Sequence, residues 1–288
     1  MDPLTLAISP CPNDTFIFHA WVHGLVPNAP PITVRYADVD EANGLAARGE
    51  VDVAKVSYAA LPALLERYAL LPCGGALGRG CGPLVLTRSR AAPPTDARLE
   101  PARLAGATVA VPGEHTTAYL LFRLWAAAHP PARVVVLPFP QITPAVRDGS
   151  VDAGLVIHEA RFTYGAYGLH ALADLGAWWE RETGLPIPLG AIVARRELDL
   201  DRLAGTIRRS LRQAWDDPGR TCGFVLAHAQ EMDPEVARRH IALYVNAFSH
   251  DLGAEGFRAV EALVARGAAA GLVPPTPARA LRSPSRRS

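Results

Sequence analysis

The chain has 288 residues, of which 49% are hydrophobic and 20% are charged, so it can form a sizeable core and is not globally disordered. Its 29 Lys and Arg residues nearly balance its 28 Asp and Glu residues, and the net charge of +1 argues against a nucleic-acid partner held by a broad basic surface. The four cysteines form no CxxC pair, which argues against a structural zinc site and a disulfide framework.

The start of the sequence has none of the features of a secretory signal. Residues 1–10 carry no basic segment, and their apolar run is short and broken. No stretch approaches the roughly 20 apolar residues that cross a bilayer. The sequence therefore predicts a cytoplasmic protein with no membrane partner.

Strands and helices alternate through the first part of the chain. Apolar runs predict strands at Leu4–Ser9 and Val51–Val56, and a polar turn at Cys11–Thr15 precedes a helix predicted over Phe16–His23. A second helix is predicted over Tyr58–Tyr68. This alternation is typical of an α/β fold with mostly parallel sheets and helices on both faces.

A weak internal repeat follows the same order in both halves of the sequence. Thr5–Pro10 is echoed by Thr108–Gly113, and Gly49–Asp52 is echoed by Gly149–Asp152. The repeat predicts that each half builds a similar α/β unit, with convergent α/β patterning as the alternative.

Two similar apolar segments, Gly82–Arg88 and Leu189–Arg195, enclose a stretch about the size of a compact lobe. We therefore predict that this lobe is inserted into another, which both ends of the chain build. After it, apolar periodicity predicts helices at Asp201–Trp215, Cys222–Glu231, Pro234–Ser249 and Gly253–Gly267. The predicted boundaries are 1–88 and 192–275 for lobe 1, 89–191 for lobe 2, and 276–288 for a disordered tail rich in Pro, Arg and Ser.

Four segments lie just beyond predicted strands, where open α/β sheets bind their ligands. They are Ser9–Thr15, Lys55–Tyr58, Gly113–Ala118 and His158–Arg161. If the two lobes face one another, all four segments line one cleft. A small-molecule site in this cleft is therefore the first hypothesis.

Lys55 is the single lysine of the chain, since the other basic residues are all arginine. Lysine differs from arginine as a compact point charge whose pKa responds to burial. Lys55 is thus a candidate ligand-binding residue, and a chance survivor on the surface is the alternative.

Two further candidates come from the second lobe. Thr116 or Thr117 suits the N-cap of a helix whose first N–H groups can hold an anion, although an ordinary cap is equally consistent with the pattern. His158 closes an apolar strand and can act near neutral pH as a general base or acid. The alternative for His158 is a structural histidine in the core.

Two other sequence features are weaker candidates for a functional site. The glycine run Gly74–Gly82 leads into a strand rather than a helix, so it is not a dinucleotide-binding fingerprint, and we interpret it as flexible backbone near a lobe junction. Cys11 precedes a helix, where a thiolate can be stabilised, but the sequence offers it no identifiable base.

Several of these motifs are long and unbroken, and together they resemble the 1,4-dihydroxy-6-naphthoate synthase family of the futalosine route to menaquinone. They are Ser9–Phe18, Lys55–Ala60, Gly74–Gly80, His115–Tyr119, Ile157–Glu159, Arg161–Tyr164, Asp174–Trp179 and Tyr244–Ser249. The resemblance spans nearly the whole chain up to about residue 275.

The resemblance implies a two-lobe type II periplasmic-binding-protein-like fold with a cleft between the lobes. It implies a small-molecule substrate, cyclic dehypoxanthinyl futalosine, that is cleaved to 1,4-dihydroxy-6-naphthoate and dihydroxyacetone by a lyase that needs no metal or organic cofactor. His158 is then the proton acceptor. The residues implied to contact the substrate are Lys55, Val56, Ser57, Thr117 and Ala118.

Two alternatives remain beside this interpretation. A chorismate dehydratase of the same pathway has a related fold, although its motifs differ from Ser9–Phe18 and His115–Tyr119. A solute-binding protein of the same fold would bind without chemistry. The sequence leaves the oligomeric state open.

Overall fold

The computed structural model describes residues 2–88, 97–229 and 233–282. The chain forms two compact units: Met1–Gly78 and Pro188–Ser288 make unit 1, and Arg79–Ile187 makes unit 2. The sequence placed the boundaries later, after residues 88 and 191. The first falls earlier because the strand Leu84–Thr87 pairs within the sheet of unit 2, and the second because the strand Ile187–Arg195 pairs with Val53–Ser57 in the sheet of unit 1.

Helices and strands alternate through both units. Unit 1 begins with β1 (Leu4–Ile8), α1 (Pro12–Val22), β2 (Ile32–Tyr36), α2 (Val39–Arg48), β3 (Val53–Ser57), α3 (Leu61–Leu64) and β4 (Tyr68–Gly78). Unit 2 contains β5 (Leu84–Thr87), a 3₁₀ helix (Ala97–Leu104), β6 (Thr108–Val111), α4 (Thr117–Trp125), β7 (Arg133–Val136), α5 (Phe139–Asp148), β8 (Ala153–Val156), α6 (Ala160–Thr163), a 3₁₀ turn (Tyr164–Tyr167), β9 (His170–Asp174) and α7 (Leu175–Thr183). The chain returns to unit 1 with β10 (Ile187–Arg195), α8 (Leu200–Asp216), a 3₁₀ turn (Pro218–Thr221), α9 (Cys222–His228), α10 (Pro234–Tyr244), α11 (Ala247–His250), α12 (Gly253–Ala269) and α13 (Ala278–Leu281).

Each unit is built on a five-stranded mixed sheet. In unit 1 the strand order is β2-β1-β3-β10-β4, with β1 parallel to β2 and β3 and with β10 antiparallel to β3. In unit 2 the order is β7-β6-β8-β5-β9, with β6 parallel to β7 and β8 and with β5 antiparallel to β8 and β9. The parallel strands that the sequence predicts thus form a three-stranded group in each sheet.

The sequence repeat corresponds to the same pair of hydrogen bonds in both units. The Asp52 carboxylate accepts from the Thr5 backbone N–H at 2.8 Å, and the Asp52 N–H donates to the Thr5 carbonyl at 3.0 Å. Asp152 and Thr108 make the same two bonds in unit 2, also at 2.8 and 3.0 Å. The prediction that each half builds a similar α/β unit is confirmed.

The core of each unit follows from its apolar strands. In unit 1, β1 and β10 pack with α1 and α8, and in unit 2 the strands β5, β6 and β8 pack with α5. Across the described ranges, every helix falls short of the length and apolarity that crossing a bilayer demands.

The helix predicted over Tyr58–Tyr68 is mostly wrong, because only the short α3 forms there and β4 begins at Tyr68. The Tyr68 side chain is fully buried, and its hydroxyl donates to the Val51 carbonyl at 2.6 Å. The apolar run that starts at Tyr68 is therefore held in the sheet instead of continuing the helix.

The helix predicted over Pro234–Ser249 is interrupted after Tyr244. Asn246 begins a new helix as its cap: its side chain accepts from the Phe248 N–H at 2.9 Å, and its own N–H donates to the Ser249 hydroxyl at 3.2 Å. These two bonds form a capping box. The chain therefore starts a separate helix at this point instead of continuing α10.

Two sequence predictions extend past the described residues. The helix predicted over Cys222–Glu231 ends at His228, and residues 230–232 lie outside the described part. Of the tail predicted to be disordered, residues 283–288 also lie outside it. Before them, α13 forms one helical turn in which Leu281 is buried.

Candidate functional site

Lys55 lies in β3 and is buried, with 5% of its surface exposed. Its ammonium group forms an ion pair with the carboxylate of Asp14 in α1. In the neighbouring strand β10, a Cβ atom at Gly190 would lie 2.6 Å from Lys55 Cε. A side chain at position 190 would therefore displace the end of the Lys55 side chain from its place beside α1.

Asp14 accepts four hydrogen bonds although only 1% of it is exposed. One carboxylate oxygen accepts from Lys55 Nζ and from Asn13 Nδ2, the latter at 2.8 Å. The other accepts from the Ser9 N–H at 3.1 Å and from the Ser9 hydroxyl at 2.7 Å. An opposite charge with several donors is what stabilises a buried carboxylate. The Lys55 ammonium, which the sequence suggested as an anion-binding group, therefore already has its counter-charge in Asp14.

His240 in α10 extends this network from the far end of the sequence. Its Nε2 lies 3.0 Å from Asn13 Oδ1, 227 residues away along the chain, and both side chains are buried. Because Asn13 Oδ1 can only accept, His240 donates from Nε2. Sequence reasoning missed His240, since no local pattern connects α10 to α1.

Ser57 ends β3, and the Asn43 amide in α2 contacts it at two points. The Ser57 backbone N–H donates to Asn43 Oδ1 at 2.8 Å, and Asn43 Nδ2 donates to the Ser57 hydroxyl oxygen at 3.2 Å. The hydroxyl oxygen thus acts as an acceptor toward Asn43. Between Lys55 and Ser57, Val56 is fully buried.

The start of α4 is capped by Thr116, which settles the choice that the sequence left between Thr116 and Thr117. The Thr116 hydroxyl accepts from the Tyr119 N–H at 3.2 Å and donates to the Gly113 carbonyl at 2.9 Å. Thr117 and Ala118 are the first two helical residues, and both are buried. First-turn N–H groups have no partner within their own helix, and the helix dipole favours an anion there.

His158 follows β8 with its backbone in the left-handed region, at φ 51°. Among the described residues, Asn28 is the other non-glycine residue with positive φ. Such a conformation costs on the order of 1–3 kcal/mol and persists where the surroundings hold it. The His158 ring is half-buried and meets the edge of Phe139, with the ring centroids 5.2 Å apart.

The predicted residues of each unit meet at one edge of its sheet. In unit 1, Ser9 follows β1 and Ser57 ends β3, and these strands are parallel neighbours. In unit 2, the α4 start follows β6 and His158 follows β8, which are also parallel neighbours. Each pair therefore lies beyond the carboxyl ends of adjacent parallel strands, where α/β sheets bind ligands.

Two buried thiols can be set aside as nucleophiles. Burial raises the pKa of Cys73 and of Cys81 to about 12, so both remain protonated near neutral pH. Burial also raises the pKa of Tyr58, whose hydroxyl consequently stays neutral.

A family model described as menaquinone biosynthesis matches residues 4–269 of the chain. The chain is 62% identical over 279 residues to the 1,4-dihydroxy-6-naphthoate synthase of Streptomyces coelicolor, covering 95% of each protein. It is 48% identical over 280 residues to the enzyme of the same name from Thermus thermophilus, covering 96% of this chain and 98% of that protein.

Among solved structures, the periplasmic aliphatic sulphonate binding protein SsuA of Escherichia coli superposes with a TM-score of 0.67 at 13% identity, covering 98% of this chain and 91% of that one. That likeness concerns the fold alone. Together with the two-sheet α/β architecture, it confirms the expected periplasmic-binding-protein-like fold. From the family match and the two near-full-length relatives, the chain belongs to the menaquinone biosynthesis family that includes these 1,4-dihydroxy-6-naphthoate synthases.

Proposed function

We propose that the chain is a carbon–carbon lyase that converts cyclic dehypoxanthinyl futalosine into 1,4-dihydroxy-6-naphthoate and dihydroxyacetone. The observation that carries the proposal is the 62% identity, over 95% of both chains, to a relative named for forming that naphthoate. The same relatives make an enzyme of menaquinone biosynthesis the expected class.

In this proposal His158 is the general base. It removes a proton from the substrate, so that the carbon–carbon bond to the sugar-derived fragment breaks and the ring system aromatises. A positioned base of this kind typically contributes about 10²–10⁴-fold to the rate. Its support is the position of His158 beyond β8 and its left-handed backbone, since strained conformations cluster at active sites.

The substrate carries an aromatic carboxylate, and the candidate groups to bind it are the Lys55 ammonium and the N-terminus of α4. The structure gives these two groups different surroundings. The Lys55 ammonium is compensated by Asp14, whereas the first turn of α4 contains no acidic residue and its helix dipole favours an anion. We therefore assign the carboxylate to the N–H groups of Thr117 and Ala118. Lys55 then holds the end of β3 in place through Asp14, and Ser57 contributes its hydroxyl to the substrate.

The Ser57 contact gives a first testable substitution, Asn43→Asp. The aspartate still accepts from the Ser57 N–H, but it replaces the Nδ2 donor with a second acceptor, so the Ser57 hydroxyl turns to donate to it. Loss of one hydrogen bond to the substrate is expected to weaken binding by about tenfold. Isothermal titration calorimetry with cyclic dehypoxanthinyl futalosine, in a His158→Asn background that is expected to bind it without turnover, measures this change.

Ser57→Ala is the matched control for that substitution. Because both substitutions remove the same donated hydrogen bond, the double variant should bind no more weakly than either single variant. Additive losses would contradict a role of Asn43 through the Ser57 hydroxyl.

The proposed function itself is tested by a product assay. The purified protein is incubated with cyclic dehypoxanthinyl futalosine, with and without EDTA, and the naphthoate is followed by chromatography coupled to mass spectrometry. Equal product formation in both samples is the expected result. Tight binding without product would favour the solute-binding alternative. Absence of binding would direct the next assay to chorismate.

A further inference from the structure

The Arg161 side chain connects the turn after His158 to two other parts of unit 2. One guanidinium nitrogen donates to the Asp174 carboxylate at 2.5 Å, and another donates to the Gly82 carbonyl at 2.7 Å. The Arg161 side chain is 16% exposed and that of Asp174 is 28% exposed. A largely buried, charge-assisted contact of this kind is stronger and more directional than a surface ion pair.

The two acceptors of Arg161, the Asp174 carboxylate and the Gly82 carbonyl, are themselves held in place by neighbouring backbone. Asp174 caps α7, since its other carboxylate oxygen accepts from the N–H groups of Gly176 and Ala177 at 2.9 and 3.1 Å. Gly82 and Gly176 approach so closely that a Cβ on Gly82 would lie 2.1 Å from the Gly176 nitrogen. This contact gives Gly82 a steric reason to be glycine, in place of the flexibility that the sequence suggested. Arg161 is thus anchored to rigid backbone.

The other end of this connection is the turn that bears His158. Arg161 lies in α6, a helix of four residues, and its N–H donates to the His158 carbonyl at 3.3 Å. One turn of helix has little stability of its own, so its placement depends on tertiary contacts. The left-handed backbone of His158 also needs surroundings that hold it.

We propose that Arg161 is a positioning residue: by tying the His158 turn to the Asp174 cap and the Gly82 carbonyl, it sets the direction of the His158 imidazole. The proposal rests on the proposed role of His158 as the base. Arg161 acts through the backbone of the turn, and its effect is therefore on the proton-transfer step more than on substrate affinity.

The test compares Arg161→Gln with Arg161→Lys by steady-state kinetics. The glutamine variant is expected to lose about 10²-fold in kcat, the typical effect of a misplaced catalytic group, with KM within about threefold of wild type. Lysine keeps the charge but can reach only one of the two acceptors, so it should recover part of the loss. Equal kcat in wild type and Arg161→Gln, or a loss confined to KM, would overturn the proposal.

Arg79→Gln is the matched control, because Arg79 pairs with Glu180 at 3.8 Å and donates to the Gly184 carbonyl at 3.1 Å in the same unit, and neither of these partners belongs to the His158 turn. Its kcat should stay within about twofold of wild type. If the glutamine variant at Arg161 folds poorly, Asp174→Asn removes the same ion pair while keeping the capping oxygen and the contact with the Gly82 carbonyl, and it should show part of the same loss of kcat.

A structural readout separates this proposal from the proposed function. A crystal structure of Arg161→Gln should show His158 displaced or its φ moved out of the left-handed region, whether or not the wild type forms product. An unchanged His158 turn would refute the positioning role even if the lyase activity is real. Conversely, a wild type without product but with a displaced turn in the variant would refute the lyase assignment alone.

Discussion

Replacement of His158 by asparagine is expected to lower kcat by about 10²–10⁴-fold while substrate binding persists, because the proposed proton acceptor is lost and the α4 N–H groups that we propose bind the carboxylate remain. Asparagine is the informative choice, since it tolerates the left-handed backbone that His158 adopts. Single-turnover product formation and calorimetric binding measure the two effects separately.

The control for this substitution is His129→Asn, which alters an exposed histidine of the same unit. Its turnover should match that of the wild type. If His158→Asn retains more than about a tenth of wild-type activity, another group removes the proton.

Loss of the Asp14 charge is expected to be the most destabilising polar substitution in unit 1. Asp14→Asn leaves the Lys55 ammonium buried without its counter-charge, and breaking a buried pair by removing one partner costs about 3–5 kcal/mol of unfolding free energy. Urea unfolding followed by circular dichroism measures the change.

Two comparisons make the Asp14 result specific. Glu41→Gln breaks an ion pair with Arg35 in which both side chains are about half exposed, and it should cost less than about 1 kcal/mol. In the double variant Asp14→Asn with Lys55→Met, part of the lost stability should return, because the uncompensated charge is gone. If Asp14→Asn lowers the free energy of unfolding by as little as Glu41→Gln does, the buried Lys55–Asp14 pair contributes little to stability.

Local patterns of the sequence predicted the repeated architecture well. The aspartates at positions 52 and 152 follow the same short motif, and their identical hydrogen bonds to Thr5 and Thr108 explain why that motif recurs. Strand ends and caps depend on neighbouring residues, so Thr116 at the start of α4 was within reach of sequence reasoning.

Features that depend on distant contacts were not predicted. Tyr68 starts a strand because its hydroxyl reaches Val51, and this tertiary contact overrides the helical pattern before it. His240 joins the Asn13 network across nearly the whole chain. A lone lysine within a buried strand does signal the need for a counter-charge, and Asp14 could have been sought on that ground.

The left-handed backbone of His158 was also beyond the sequence. Histidine at a strand end suggested a base, but nothing in the local pattern marks positive φ at a residue that is not glycine. The same holds for Arg161, because its acceptors Gly82 and Asp174 are distant in sequence and meet only in the folded sheet.

The burial of Lys55 also has a consequence for the chemical labelling of this protein. Lys55 is the one side-chain amine in the sequence, and its nitrogen is enclosed with Asp14. Amine-directed acylating reagents therefore reach it only when β3 and α1 separate. The rate at which the peptide containing Lys55 gains the mass of the reagent therefore reports how often unit 1 opens at this site. The measurement needs no engineered label.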